Sequence, residues 1–166
     1  MRRLLIVTAA MLVALMALGG LQASADRGGR FSAKLSGFDE VPTLSVAGTG
    51  TFSASLDRGG ASLSFTLRYD GLTGDALFAH IHLGKPATLG GVSAFLCGGG
   101  GQAACPTGTS GTVTGTIDAS HVVGPEGQGI APGEFAELIT ALQAGATYVN
   151  VHTTLFPSGE IRGAIL

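Results

Sequence analysis

His80 and His82 stand two residues apart in the apolar run Phe78-Ala79-His80-Ile81-His82-Leu83-Gly84. A strand turns alternate side chains to opposite faces, so the two imidazoles share one face about 7 Å apart along the chain. A third imidazole, His152, falls in Thr147-Tyr148-Val149-Asn150-Val151-His152-Thr153, where Tyr148, Asn150 and His152 share a face and Val149 and Val151 take the other. In both stretches the opposite face is aliphatic, so the imidazoles should point away from the main core, toward solvent or covering loops. If the two strands are neighbours, His80, His82 and His152 converge. Three neutral imidazoles suit Cu(II) or Zn(II) and leave a coordination position open. Asn150, Glu160 and Arg162 are the expected supports, close enough to orient the ligands or hold an anion. The plain alternative is an outer strand face whose histidines are solvated or hydrogen-bonded to a loop.

Other reactive residues carry weaker patterns. Cys97 and Cys105 bracket Gly98-Gly99-Gly100-Gly101-Gln102-Ala103-Ala104, and an even cysteine count in an exported chain reads as a disulfide. Closing so short a loop is worth roughly 2–3 kcal/mol. Glu160 and Arg162 alternate on one strand face, and a surface ion pair between them would contribute ~0–1 kcal/mol. Asp39 and Glu40 form an acidic pair in a connection and read as solvated. His121 stands alone after Ser120 in a glycine-rich stretch. No Gly-x-Ser-x-Gly elbow or phosphate loop occurs, and no catalytic residue is assigned.

The elements that must position these residues are short and mostly alternating. Phe31, Ala33 and Leu35 interleave with Ser32, Lys34 and Ser36; Phe52, Ala54 and Leu56 interleave with serine and threonine. Asp57-Arg58-Gly59-Gly60 makes a hairpin turn into Leu63, Phe65, Leu67 and Tyr69. The histidine strand follows, then a long glycine-rich segment from Gly84 to Gly111 that holds only a short strand, Val92 to Leu96. Thr112 to Ile117 reads as another strand. Glu134 to Ala144 is the one helical pattern, with Phe135, Leu138, Ile139 and Leu142 on one stripe and Gly145 as its stop. About eight short strands with one short helix imply an all-β fold, an antiparallel Greek-key β-sandwich.

Composition sets the compartment. Met1-Arg2-Arg3, an uncharged run from Leu4 to Leu18 and Ala23-Ser24-Ala25 read as a signal peptide over residues 1–25, cleaved after Ala25; the alternative is an uncleaved anchor. The domain is then residues 26–166, secreted or periplasmic, with no membrane span left after cleavage. Of the 9 basic residues Arg2 and Arg3 leave with the leader, so 7 face 11 acidic ones, a net charge of −4. Without a basic patch, nucleic acid is not an expected partner.

Taken in order, Phe31-x-Ala33-x-Leu35-x-Gly37-x-x-Glu40-Val41-Pro42, His80-Ile81-His82-Leu83-Gly84, Tyr148-Val149-Asn150-Val151-His152-Thr153 and Phe156-Pro157-Ser158-Gly159-Glu160-Ile161-Arg162-Gly163 resemble the CHRD domain, first described as repeats in chordin. The resemblance covers Phe31 to Leu166 and implies an immunoglobulin-like or superoxide-dismutase-like β-sandwich. It brings no catalytic residues, but His80, His82, His152, Glu160 and Arg162 all fall within its motifs. A more distant likeness is to copper-zinc superoxide dismutase, whose copper site also begins with a His-x-His strand and ends with a late-strand histidine. Residues 84–111 here contain no His, Asp or Glu, which argues against a working dismutase. The leading expectation is a non-enzymatic extracytoplasmic binding module that uses its histidine-bearing face for a protein or small ligand. The alternatives are a copper or zinc metalloprotein and a structural envelope or matrix domain.

Overall fold

The structure is a computed structural model that describes residues 29–166. The signal-peptide expectation for residues 1–25 lies outside the described residues. Eight strands follow in chain order: β1 Arg30–Ser36, β2 Thr49–Leu56, β3 Leu63–Asp70, β4 Ala76–Leu83, β5 Val92–Cys97, β6 Gly111–Ile117, β7 Thr147–Thr153 and β8 Ile161–Ala164. Among the described residues there is one α-helix, α1, over Phe135–Gln143, and three short 3₁₀ turns. The fold is all-β and antiparallel, as the alternating patterns require.

All eight strands belong to one hydrogen-bonded sheet in the order β5-β4-β7-β8-β1-β2-β3-β6. The ladder is narrowest between β8 and β1, where Ser36 faces Arg162 and Ser32 exchanges backbone hydrogen bonds with Leu166. There the sheet folds over, and its two edge strands, β5 and β6, come into contact. The result is a sandwich-like, nearly closed barrel with two four-stranded halves. The chain crosses between the halves from β3 to β4, from β5 to β6 and from β6 to β7, the Greek-key connectivity expected.

Hydrophobic alternation sets which face turns inward. Phe31, Leu35, Phe52, Leu63, Phe65 and Leu67 from one half meet Ala79, Ile81, Leu96, Val149, Val151 and Ile161 from the other. Removing such side chains from water contributes roughly 1.5–3 kcal/mol each, enough to hold the strand register. Helix α1 adds its predicted stripe, with Phe135, Leu138, Ile139 and Leu142 buried. Its C-terminal carbonyls at Ala144 and Gly145 accept hydrogen bonds from the Lys85 ammonium, 3.2 and 3.3 Å away, a cation placed where the helix end is negative. That contact also ties down the loop after β4. Cys97 and Cys105 form a disulfide that pins the end of β5 to the connection toward β6.

Candidate metal centre

Strand β7 lies between β4 and β8, and its register brings the histidines together. Phe78 faces His152, His80 faces Asn150 and His82 faces Tyr148 across the β4–β7 ladder. On the other side Asn150 faces Arg162. Side chains on one strand face stand about 5 Å from their cross-strand partners, so one outer patch gathers His80, His82, His152, Asn150, Tyr148 and Arg162. One nitrogen from each of the three imidazoles lies within 4.8 Å of the others.

The patch is covered, which alternation alone does not require of an outer face. His80 is 7% exposed, His82 8% and His152 9%. Three loops cover it. The loop after β4 returns so tightly that a Cβ on Gly90 would sit 1.8 Å from the Leu83 carbonyl oxygen, so the position admits only glycine. The loop between β7 and β8 brings in Pro157, and the connection after β1 brings in Glu40. From the far side Phe95 of β5 presses edge-on against His80, with ring centres 4.4 Å apart.

These loops decide the protonation of the rings. His82 Nδ1 lies 3.0 Å from the Gly90 carbonyl oxygen, and His152 Nδ1 lies 3.0 Å from that of Pro157. A carbonyl only accepts, so both Nδ1 atoms carry the proton and both Nε2 atoms keep a lone pair. His80 Nδ1 is 3.0 Å from His152 Nε2 and must donate to it, which leaves His80 Nε2 with a lone pair as well. Among the described residues, four buried side-chain polar atoms lack a hydrogen-bond partner from the protein: His80 Nε2, His82 Nε2, Ser93 Oγ and Thr147 Oγ1. Two of the four are therefore imidazole acceptors in one patch. Nor does a proton answer them. Desolvation, followed by the neighbouring imidazoles, pushes His80 down to about 3. Desolvation takes His82 down to about 4 against the opposing hydrogen bond to Gly90, and His152 shifts in the same direction by burial. At neutral pH the patch is three uncharged imidazoles held in fixed tautomers.

The expected supports separate. Arg162 belongs to the patch: its guanidinium lies 3.4 Å above the Tyr148 ring, whose other neighbour is the His82 imidazole, parallel to it with ring centres 4.7 Å apart. It donates to the carbonyls of Lys85 and Thr88, at 3.2 and 2.6 Å, and so holds the covering loop. Asn150 donates to a carboxylate oxygen of Glu40 rather than to a ring. Glu160 turns elsewhere. It precedes β8, and its carboxylate accepts from the Thr73 amide at 2.6 Å and the Thr153 hydroxyl at 2.7 Å. The surface ion pair read from alternation is thus absent. Both residues are buried, and Glu160 falls outside the strand whose period would have placed it beside Arg162.

Glu40 is the residue that alternation missed. It is 6% exposed, and burial raises its pKa to about 7 despite the nearby Arg162 and the hydrogen bonds from Val41 and Asn150. Gly159, at φ 127°, leaves room for it, since a Cβ there would lie 2.7 Å from the Glu40 carboxylate. The Glu-Val-Pro motif was the only sequence signal for it. His121 is joined by Asp118, whose carboxylate lies 2.8 Å from its Nδ1 in a local capping arrangement, far in sequence from the three clustered imidazoles.

A family model described as the CHRD domain matches residues 31–165. No curated protein matches the chain.

Proposed function

Because the chain belongs to the CHRD domain family, we propose that it is a binding module, and that its ligand is one copper or zinc ion held by His80, His82 and His152. Membership of the family supports the coarser part of this reading, a binding domain rather than an enzyme. The metal reading rests on one observation: buried imidazole nitrogens with lone pairs and no donor, two of them beside a third imidazole. A hydroxyl can rotate to find a partner, but an imidazole acceptor fixed by its other nitrogen cannot. A cation is the single partner that accepts several such lone pairs at once, and imidazole suits copper and zinc. The carbonyls of Gly90 and Pro157 supply the outer hydrogen bonds that fix the ring tautomers. Asn150 and Arg162 support the patch from β7 and β8, Arg162 by its stack on Tyr148; Glu160 anchors the turn behind it.

The ion would exchange for the His80–His152 hydrogen bond, with small closing movements of the rings. The covered position favours retention of an ion over turnover of a substrate. The disulfide supports export to an oxidising compartment, and among the described residues no helix is long and apolar enough to cross a membrane.

The test is metal titration of the purified untagged protein. One Cu or Zn per chain, lost in His80→Ala and in His152→Ala, supports the site. No stoichiometric binding refutes it. A second reading, docking of a partner protein on the same face, draws on the covering loops: Phe38, Leu89 and Leu155 lie in them, 68%, 74% and 62% exposed. Unaltered metal binding with Phe38, Leu89 and Leu155 replaced by serine, alongside loss of a captured partner, would separate the two.

A further inference from the structure

The outer face of the other half, β1-β2-β3-β6, has no part in the histidine patch. Every outward side chain on these four strands is a serine, a threonine or a charged residue, and the charged ones are Arg30, Lys34, Arg68 and Asp70. The register aligns them in rows. Lys34, Thr51, Arg68 and Thr112 form one row across all four strands. Ser32, Ser53, Thr66 and Thr114 form the next. Because the side chains are short, shallow hollows remain between the rows. One of about 520 Å³ lies over Ser53, Ser64 and Thr66, and one of about 780 Å³ lies over Lys34, Thr51 and Arg68.

Charge is distributed unevenly over the molecule. The chain is acidic overall, with a net charge of −2, yet the four strands of this face carry three cations against one acid, with Asp39 at the edge, bonded to Ser36 and sharing a hollow with Lys34 and Thr51. Asp70 sits at its margin and is engaged by the Ser110 hydroxyl at 2.6 Å. Among the described residues the remaining cations lie elsewhere: Lys85 caps α1, Arg162 is buried in the histidine patch and Arg58 is in the β2–β3 turn. The complementary ligand is therefore an anion.

Spacing selects the kind of anion. Arg30 and Lys34 are four residues apart on one strand, about 13 Å, and Lys34 and Arg68 are two strands apart, about 10 Å. Between them lie only hydroxyls. A nucleic acid, with a charge every ~1.7 Å of duplex axis, calls for denser cations, and the face offers no aromatic ring for a base to stack on. It offers a lipid surface no apolar side chain either. Sparse single charges separated by hydroxyls match a polymer that is itself mostly hydroxyl with an acid at intervals. We propose that this face binds an acidic polysaccharide carrying one carboxylate per repeat of two sugars. The cations pair with successive carboxylates, and the serine and threonine hydroxyls exchange hydrogen bonds with the sugar hydroxyls in the hollows.

The experiment is calorimetric titration of the purified protein at low salt with a hyaluronan oligosaccharide, which carries a carboxylate on every second sugar. Neutral dextran and polyphosphate serve as comparison polymers. Hyaluronan should bind, dextran should not, and binding should weaken as salt is added. The triple variant Arg30→Gln, Lys34→Gln, Arg68→Gln should weaken it about tenfold, the combined effect of three exposed charge contacts. Because all three side chains are exposed, its circular dichroism should match that of the parent. His80→Ala should bind hyaluronan as the parent does, so failure of the metal site leaves this result standing. Absence of hyaluronan binding, binding unchanged in the triple variant, or tighter binding of polyphosphate would each overturn the proposal.

Discussion

Two outer faces of one sheet, built by the same alternation, came to opposite ends. The β4-β7-β8 face holds histidines, an arginine, an asparagine and a tyrosine under three loops, nearly closed to solvent. The β1-β2-β3-β6 face holds hydroxyls and a few cations in the open. What differs is the length of the connections. The β2–β3 link is a tight turn, whereas the connections after β1, β4 and β7 are longer and fold over the histidine patch. Covering a polar face makes each unpaired atom costly, because water is removed without replacement. A polar patch kept in such a place should carry a function that compensates.

Acid breaks the comparison most forcefully. His80 and His82 titrate near 3 and 4 in the folded state, below the ordinary 6.5. The unfolded chain therefore takes up protons first. Stability is whole above pH 6.5, falls as the pH drops below it, and flattens near pH 3. Each ring contributes about 1.4 kcal/mol per pH unit in that window. Urea midpoints measured from pH 7 to pH 4.5 should drop steeply in the parent and less in His80→Ala. Glu40 works with the opposite sign, since its folded value of about 7 lies above the ordinary 4.5. Its contribution is present below pH 4.5 and lost as the pH rises to 7, so Glu40→Gln should gain stability relative to the parent at pH 8.

Next in size is Arg162→Ala, which removes the Tyr148 stack and leaves the carbonyls of Lys85 and Thr88 without their donor. A loss of about 2–4 kcal/mol is expected in urea unfolding. Reduction of Cys97–Cys105 should cost roughly 2–3 kcal/mol in the same assay. On the open face Thr66→Ala and Ser53→Ala should fall within about 0.5 kcal/mol of the parent. If Arg162→Ala proves as mild as these, the two faces do not differ energetically, and the covered patch loses its claim to a special role.

Much of this was legible in the chain itself. Period-two alternation determined the strands, their inward residues and the shared outward face of His80 and His82, because a pleated strand leaves no other choice. Phe135, Leu138, Ile139 and Leu142 determined the helix in the same way. The disulfide pair followed from the two cysteines and the leader pattern. What tertiary structure alone decided was adjacency and burial. That β7 pairs with β4, and so carries His152 to His80, depends on contacts far apart in sequence that no local period encodes. Glu40 read as solvated because polar residues usually are, and Arg162 as a support of the histidines or half of a surface ion pair; the loops that bury them fold over from other parts of the chain. Glu160 left its expected face because the strand began one residue later. Local sterics fix which way a side chain points; what it meets there is fixed by how the sheet closes.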